Sequence, residues 1–276
     1  MYIIFDIGGT KMRIASSKDL VTFSEPVFVD TPLNFKDGVD TFLKKVEELT
    51  PLEEIKGVAG GIAGTIDKNT GKLFWSPHLT GWVGGNLSQE ISEKIKAPVF
   101  IENDSAIVGL GEAVAGAGKD KEIVVYITIS TGVGGARIVN GFLDEKRTGF
   151  EPGHQVIDFE KMMTLEDYIS GSALKKKYGM TPTEIKDDKL WNDFAKILAV
   201  GIHNSVVHWS PDVIILGGPM IIGNPSIPFE KVVENFNSNM KIFSVLPEVK
   251  KAELGHIGGL HGALTYLRQK LEAMKK

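Results

Sequence analysis

Residues 2–16 read YIIFDIGGTKMRIAS, two apolar runs that flank a pair of glycines. Tyr2–Ile7 is an apolar, β-branched run that predicts a strand, and Gly8-Gly9-Thr10 predicts its turn. Lys11–Ser16 then predicts a second strand that returns beside the first. A dinucleotide-binding fingerprint would continue into a helix after its glycines, so the second strand excludes that kind of site here. Two interpretations of the turn remain open: an ordinary hairpin turn, or a nest of backbone N–H groups that binds phosphate.

The same strand–turn–strand pattern recurs near the middle of the chain. Ile123–Ile129 predicts a strand, Thr131-Gly132-Val133-Gly134-Gly135 a glycine turn, and Ala136–Leu143 the returning strand. The chain has 31 glycines, and the main clusters lie in such turns after β-branched runs. The recurrence predicts two similar halves whose glycine turns face each other across a cleft. A coincidence of two hairpins is the alternative.

Strand and helix patterns alternate along the rest of the chain. Helical spacing of apolar residues predicts helices, and short apolar runs predict buried strands. The predicted helices are Phe35–Leu49, Ser88–Ile95, Ser105–Ala115, Leu165–Tyr178, Leu190–Trp209 and His261–Met274, and the further strands are Ile55–Gly60, Pro98–Ile101 and Val213–Leu216. This alternation is typical of an α/β protein.

The composition excludes several classes of protein. A chain of 276 residues is at the size where a single hydrophobic core stops growing, which favours two lobes. A formal net charge of −4 argues against nucleic acid as a partner. Because the chain has no cysteine, disulfides and cysteine-built zinc sites are excluded. No basic segment precedes the first apolar run, and no run approaches the roughly 18 apolar residues of a membrane span, so we expect a cytoplasmic protein without a membrane partner.

The segment Glu102-Asn103-Asp104-Ser105-Ala106 places an acid where a buried strand ends and a helix begins. Ligands of α/β proteins usually bind at such strand ends. The helix dipole would hold the Asp104 carboxylate ionised, and the carboxylate could accept a proton from a substrate hydroxyl. The alternative is a capping role, because Asn, Asp and Ser are preferred at helix N-termini.

The segment Glu151-Pro152-Gly153-His154 holds a carboxylate and an imidazole three residues apart. Such a pair can bind vicinal hydroxyl groups or form half of a metal site. The metal interpretation is disfavoured because the chain has no cysteine and because His256 and His261 lie in a different segment. An ordinary solvated loop is the remaining alternative.

Taken together, these segments resemble the ROK family of sugar kinases and sugar-responsive repressors, in the actin-like ATPase superfamily. The matching segments cover nearly the whole chain: Asp6–Lys11, Gly61–Gly64, Ser76–Trp82, Glu102–Ala106, Ser130–Gly135, Glu151–His154, Glu166–Leu174 and Leu216–Gly218. The resemblance implies an α/β, two-lobed actin-like ATPase (ribonuclease H-like) fold with its active site in an interlobe cleft. The expected domains are a small N-terminal α/β domain, residues 1–104, closed by a C-terminal helix, residues 261–276, and a large domain, residues 105–260.

The resemblance also implies an enzyme that uses ATP to phosphorylate a hexose, with Asp104 as the general base. Glucose, phosphorylated at its 6-hydroxyl, is the expected substrate, while mannose, fructose and N-acetylhexosamines stay open, as do ADP and polyphosphate as donors. A catalytically silent sugar or nucleotide sensor is the rival interpretation. Since family members usually form homodimers or homotetramers, one of these assemblies is expected.

The resemblance further implies which residues form the site. Sugar contacts are expected from Gly61, Gly64, Asn103, Asp104, Glu151, His154 and Glu166. ATP contacts are expected from Gly8, Gly9, Thr10, Lys11, Thr131, Gly132, Gly134, Gly217 and Gly218. Mg²⁺, which accompanies ATP, is expected to contact Asp6 through water, because this ion keeps much of its hydration.

One departure from the family concerns zinc. The family's cysteine-rich zinc loop is replaced here by the short segment Gln155–Leu165, which has no cysteine. No structural zinc is therefore expected. Packing around Met162, Met163 and Leu165 is expected to position the region of His154 instead.

Three further departures lie close to the expected site. Ser130 stands where the family usually has glycine, Ala136-Arg137 where it has a small or glycine-rich pair, and His78 where asparagine is frequent. These changes bear on nucleotide affinity and sugar preference more than on the type of reaction.

Overall fold

The structure, a computed structural model, describes residues 1–144 and 148–275. In chain order, the strands are β1 (Tyr2–Ile7), β2 (Lys11–Ser17), β3 (Val27–Asp30), β4 (Gly57–Ile62), β5 (Thr65–Ile66), β6 (Leu73–Trp75), β7 (Val99–Asn103), β8 (Ile123–Ile129), β9 (Val133–Val139), β10 (Phe142–Leu143), β11 (Val156–Asp158), β12 (Met163–Thr164), β13 (Val213–Gly217) and β14 (Glu248–Lys251). The helices are α1 (Phe35–Leu49), α2 (Leu87–Ile95), α3 (Asp104–Ala115), α4 (Leu165–Ile169), α5 (Gly171–Tyr178), α6 (Asp188–Trp209), α7 (Pro219–Ile222), α8 (Phe229–Asn239) and α9 (Gly258–Ala273). Within the described residues, none of the helices combines the length and apolar character that crossing a bilayer requires.

The chain divides into two compact units. The first contains Met1–Val114 and the segment from Leu254 onward, and the second contains Ala115–Glu253. The first unit is built on a five-stranded sheet in the order β3-β2-β1-β4-β7. β1 and β2 are antiparallel because a short glycine turn joins them, whereas β4 and β7 run parallel to β1.

Side chains alternate across the first sheet and give it two apolar faces. One face packs on α1 and α2, with Phe5 against Phe42 at its centre. The other face packs on α3 and α9, where Ile4 of β1 and Leu260 of α9 are fully buried. The first turn of α3, which begins at Asp104, therefore lies at an edge of this second face.

Helices α3 and α9 cross closely because glycines line their contact. A Cβ atom at Gly111 would overlap the backbone of α9, and one at Gly262 would overlap the backbone of α3. The buried carboxylate of Glu112 also accepts a hydrogen bond from the N–H of Leu254 at 2.9 Å. Because of these contacts, all of α3 except its last residue belongs to the first unit. The first segment of this unit ends at Val114, whereas residue 104 was expected. The closing helix, α9, begins at Gly258, whereas residue 261 was expected.

The second unit repeats the strand order of the first. Its sheet runs β10-β9-β8-β13-β14, with β8 and β9 as an antiparallel hairpin and β13 and β14 parallel to β8. Residues of the strands, such as Val125 and Leu216, form its core with Leu198 of α6 and Phe236 of α8. Because both sheets share one ribonuclease H-like order, the predicted α/β class and duplicated actin-like fold are confirmed.

Several element boundaries differ from those predicted. The predicted helix 165–178 is two helices, because Ser170 has an extended backbone (ψ 156°) and its side chain caps α5. β9 begins at Val133 rather than Ala136, since Gly134 and Gly135 pair with β8. The sequence patterns do not predict α8 or the edge strands β3 and β14, whose residues are mostly half-buried or exposed and lack a continuous apolar run.

Candidate active site

The first glycine turn joins β1 to β2 in the first unit. The N–H of Gly8 donates to the carbonyl of Lys11 at 3.0 Å. Thr31 fixes the turn by donating its N–H to the carbonyl of Thr10 and its hydroxyl to the carbonyl of Gly8. Among the described residues, no group accepts the N–H of Gly9 or Thr10. Two consecutive free N–H groups in a tight turn form a nest for an anion, which favours the phosphate interpretation of this turn.

Two side chains flank the first glycine turn. Lys11 forms an ion pair with Asp30 (Nζ–Oδ1 2.6 Å), and both side chains are exposed. His78 packs directly on the turn, because a Cβ atom at Gly9 would lie only 3.1 Å from the His78 Cγ and would overlap its Cβ. Glycine at position 9 is therefore required by His78, a contact that no sequence pattern marks because these residues meet only in the fold.

Asp6, the expected Mg²⁺ contact, is the last polar residue of β1 before the turn. Its side chain is buried and forms an ion pair with Arg13 (Oδ2–Nη1 2.9 Å). Helix α9 closes over it, since a Cβ atom at Gly259 would lie 2.8 Å from the Asp6 Cγ. Burial raises the pKa of Asp6, and the Arg13 guanidinium opposes that rise. A carboxylate beside a turn with two free N–H groups offers the oxygen ligands that Mg²⁺ prefers, so this residue fits the ion.

The sequence left open whether Asp104 caps α3 or presents a free carboxylate, and the structure shows that Asn103 is the cap. Asn103 caps α3, because its Oδ1 accepts the N–H of Ala106 at 3.1 Å, and its Nδ2 donates to the carbonyl of Gly64 at 3.0 Å. Asp104 Oδ1 accepts the N–H of Ser105 at 2.7 Å, while Oδ2 has no hydrogen-bond partner within the part of the chain that the structure describes. The helix cap is thus Asn103, and one oxygen of the Asp104 carboxyl group has no partner among the described residues.

The environment of Asp104 raises its pKa to about 7. Loss of hydration is the larger cause and the negative charge of Asp6 is the second, while hydrogen bonds from Ser105 act in the opposite direction. The expectation that the helix end keeps this carboxylate ionised is therefore wrong near neutral pH. The start of α3 packs directly on β4 at Gly61. A Cβ atom at Gly61 would lie 2.9 Å from the Asp104 Cα, so a larger residue at position 61 would move Asp104 away from the sheet.

The second glycine turn joins β8 to β9 in the second unit. The first two N–H groups of α5, at Gly171 and Ser172, donate to the carbonyls of Ser130 and Thr131. Glu166 Oε2 accepts the N–H of Val133 at 2.6 Å. In the described residues, no group accepts the N–H of Thr131 or Gly132. This turn therefore offers the same pair of free N–H groups as the first.

Three expected sugar-binding side chains lie near one another in the second unit. Partial loss of hydration raises the pKa of Glu151, although this side chain still reaches solvent. Two neighbouring groups have smaller effects: the charge of His154 lowers this pKa, and the charge of Glu166 raises it. The turn Pro152–His154 packs on β9, because a Cβ atom at Gly153 would overlap the carbonyl of Val133. Glu151 and His154 also line a cavity of about 460 Å³.

The hairpin β11–β12 connects His154 to Glu166. Leu165 is fully buried, but Met162 is 68% exposed, so the expected packing around Met162 is wrong. Polar contacts hold the hairpin instead: Tyr168 donates its hydroxyl to Asp158 at 2.6 Å, and the N–H of Leu165 donates to the carbonyl of Gln155 at 3.0 Å. Across residues 1–144 and 148–275, no group of three or more His, Cys, Asp or Glu side chains could hold a metal ion.

A cavity of about 530 Å³ lies within the second unit, a size typical of small-molecule sites. The second glycine turn, α5, the turn after α5 and the segment after β13 line it, through Ser130, Thr131, Gly171, Ser172, Lys175, Thr181, Pro182, Thr183, Pro219, Met220, Gly223, Asn224 and Pro225. Gly217 ends β13, and Gly218 (φ +86°) turns the chain into α7 in a conformation that favours glycine. Gly134 is the second residue of β9 and is not one of the residues that line this cavity. Sequence patterns do not mark Lys175 or Asn224, since the lining segments meet only in the fold.

Comparisons with known proteins show the family and the fold of this chain. The N-acetyl-D-glucosamine kinase of Histophilus somni is 25% identical over 303 residues, which cover 95% of this chain and 97% of that protein. The ROK hexokinase from Thermus thermophilus has a similar structure, with a TM-score of 0.84 and 23% identity over 99% of both chains. A ROK family glucokinase from Streptomyces griseus, in complex with glucose and AMPPNP, gives a TM-score of 0.78 and 23% identity over 97% of this chain and 99% of that one. These two structures show a shared fold. The model of the ROK family matches residues 2–270, nearly the whole chain, and the protein therefore belongs to the ROK family.

Proposed function

We propose that the protein is a sugar kinase, which transfers the γ-phosphoryl group of ATP to the 6-hydroxyl of a hexose, with glucose as the substrate. The observation that carries this proposal is the carboxyl group of Asp104. It stands where a parallel strand meets a helix, and one of its oxygens has no hydrogen-bond partner in residues 1–144 and 148–275. Its pKa of about 7 suits a general base at neutral pH.

The two glycine turns support ATP as the phosphoryl donor. We assign phosphate contacts to Gly8, Gly9, Thr10 and Lys11 of the first turn and to Thr131, Gly132 and Gly134 of the second. Adenosine would occupy the 530 Å³ cavity that follows Gly217 and Gly218. A Mg²⁺ ion bound with ATP would supply positive charge against the phosphates. Asp6 would hold the ion, through water.

The polar side chains of both units support a sugar as the acceptor. We assign contacts with the hexose to the residues around Asp104 and to the acidic cluster of the second unit, namely Gly61, Gly64, Asn103, Glu151, His154 and Glu166. Carboxylates accept hydrogen bonds from sugar hydroxyls, and an imidazole can donate or accept one. Glu166 already accepts one N–H of the glycine turn, so it would link the sugar to the phosphate-binding turn.

In the proposed reaction, Asp104 accepts the proton of the attacking hydroxyl as the hydroxyl oxygen bonds to the γ-phosphorus. The bond from that phosphorus to the bridging oxygen breaks, and ADP leaves with its electron pair. A positioned base contributes about 10²–10⁴-fold to such a step, or roughly 3–5 kcal/mol of the barrier. Positioning of the substrates and neutralisation of phosphate charge supply the rest, because phosphoryl transfer asks little covalent chemistry of the protein.

The relatives support the substrate class but differ in the sugar. The Histophilus somni protein is named for N-acetyl-D-glucosamine, and the Streptomyces griseus structure holds glucose. We choose glucose because the Streptomyces griseus protein matches nearly the whole chain and was solved with a sugar and an ATP analogue together. Mannose, fructose and N-acetylhexosamines are the alternatives.

Release of ADP from ATP tests the proposal, measured with each of glucose, mannose, fructose, N-acetylglucosamine and N-acetylmannosamine and without sugar. We expect turnover that depends on sugar, with kcat/KM highest for glucose. Turnover that does not need sugar would indicate an ATPase. No turnover with any sugar, although sugar and nucleotide bind, would indicate a sensor and would contradict the proposal.

A further inference from the structure

Lys175 is a cation of the second unit to which the proposed reaction gives no role. It lies in the last turn of α5 and lines the 530 Å³ cavity in which we place adenosine. Ser130 and Thr131 of the second glycine turn line the same cavity. Within the described residues, none of the side chains that line it is acidic, so no carboxylate of the lining neutralises the ammonium group. The cavity therefore combines room for a nucleoside with a positive charge.

The start of α5 is fixed to the second glycine turn. The N–H groups of Gly171 and Ser172 donate to the carbonyls of Ser130 and Thr131 at 2.8 and 3.0 Å. Lys175 is four residues after Gly171, so the two positions are neighbours on one face of the helix, about 5–6 Å apart. Side chains of a helix lean toward its N-terminus. A long side chain at position 175 can therefore reach back along α5 to the glycine turn.

Three consecutive lysines, residues 175–177, lie in the C-terminal half of α5, and their surroundings differ. Lys177 lies over an aromatic ring, with its Nζ 5.1 Å from the ring centre of Tyr178. Lys176 is exposed and does not line the cavity. The side chain of Lys175 forms no ion pair or hydrogen bond with the residues that the structure describes. Lys175 is also exposed, so a ligand that enters the cavity from solvent can reach its ammonium group.

We propose that Lys175 binds the α-phosphate of the nucleotide, which is the phosphate attached to adenosine. The proposal rests on the proposed kinase function and adds a residue to its nucleotide site. With adenosine in the cavity and the other phosphates at the free N–H groups of the glycine turn, the α-phosphate lies between them, where Lys175 reaches. The ammonium group can donate up to three hydrogen bonds, and those to phosphate oxygens are strengthened by charge. Its flexible stem lets it adjust to the bound phosphate.

The Lys175→Met variant tests the proposal, with Lys176→Met as the matched control from the same helix. Methionine keeps an unbranched apolar stem and removes the charge. The probes are AMP and ADP, measured by calorimetry, and adenosine, measured by its displacement of ADP. We expect Lys175→Met to weaken the binding of AMP and of ADP at least fivefold, or about 1 kcal/mol. Adenosine binding should stay within twofold of wild type, and Lys176→Met should change none of these values.

Two further measurements separate a phosphate contact from a change of structure. Salt screens the attraction between an exposed lysine and a phosphate, so added NaCl should weaken AMP binding more in wild type than in Lys175→Met. In steady-state kinetics, kcat/KM for ATP should fall at least fivefold in Lys175→Met. The KM for sugar should stay within twofold of wild type, which a general loss of structure would not allow. Lys175→Arg, which restores the charge, should recover most of the affinity for AMP.

Three results would overturn the role of Lys175. The first is AMP binding that is the same in Lys175→Met and Lys176→Met. The second is an equal loss of adenosine and AMP binding, which would place the ammonium group at the ribose or the base. The third is a loss of ADP binding without a loss of AMP binding, which would place it at the β-phosphate. Any of these results in a protein that phosphorylates sugar would overturn this role alone. Wild-type protein that neither binds AMP nor phosphorylates sugar would overturn both proposals.

Discussion

Asp104 combines two features that a helix N-terminus would not produce alone. The capping bond is made by Asn103, and the carboxyl group of Asp104 lies within the field of the Asp6 charge. Because the carboxylate is poorly hydrated and faces a like charge, its pKa rises to about 7. A base that is half ionised at neutral pH is strong enough to take a proton and is still available in its charged form.

This pKa also predicts how stability depends on pH. The pKa of Asp104 is 3.8 as a reference and about 7 in the folded protein, so ionisation disfavours the folded state as the pH rises between these values. Asparagine resembles the protonated form and can still accept the N–H of Ser105. We therefore expect Asp104→Asn to be more stable than wild type above pH 7, by about 2–4 kcal/mol. The difference should vanish below about pH 4, as measured by urea unfolding across this range.

The matched control for this stability experiment is Asp40→Asn, which changes an exposed acid on α1. This control should show no gain in stability above pH 7. If Asp104→Asn gained no more stability than Asp40→Asn at pH 8, the inferred environment of Asp104 would be wrong.

At the scale of elements, the second glycine turn and α4 act together. A Cβ atom at Gly132 would lie 2.7 Å from the Glu166 Oε2, which is the end of a flexible side chain. Gly132→Ala should therefore cost little stability but move the carboxylate of Glu166 away from Val133 and from the sugar. We expect the melting temperature to stay within about 3 °C of wild type. The KM for sugar should rise at least fivefold, as measured by initial rates at saturating ATP.

Gly153→Ala is the comparison for this element, because its Cβ would overlap the carbonyl of Val133, which cannot move aside as the end of a flexible side chain can. Overpacking of this kind costs about 1–3 kcal/mol. Gly153→Ala should lower the melting temperature clearly, which Gly132→Ala should not. If Gly132→Ala left the KM for sugar unchanged, Glu166 would have no part in sugar binding.

Sequence patterns predicted elements well where the signals were local. The predicted bounds of β1, α1 and β8 match those observed, because apolar periodicity and a glycine turn or a helix cap mark each of them. The break at Ser170 was missed because an N-cap inside an apolar periodic segment leaves the helical spacing unchanged. The ion pair of Asp6 with Arg13, the contact of His78 with Gly9 and the raised pKa of Asp104 were also missed. Each of these depends on residues that are apart in sequence and that the sheet or its loops bring together.

At the scale of the whole molecule, the two units repeat one sheet but carry different side chains. The first unit has the carboxylates Asp6 and Asp104 and the cation Arg13 beside its turn. The second unit has a cavity next to its turn and a cluster of Glu151, His154 and Glu166. The recurrence of the glycine hairpin indicated two similar halves, while the actin-like fold was expected from the resemblance to the ROK family. It could not predict this division of chemistry, because side chains outside the turns differ between the two halves.

The proposed function predicts that removing one carboxylate abolishes turnover without abolishing binding. The measurement is kcat of Asp104→Asn at saturating ATP and sugar at pH 8, together with calorimetric binding of the sugar. We expect kcat to fall at least a hundredfold, the lower end of about 10²–10⁴-fold for a general base, while the Kd for sugar stays within threefold of wild type. A folded Asp104→Asn protein whose kcat remained within tenfold of wild type would contradict the assignment of Asp104 as the base.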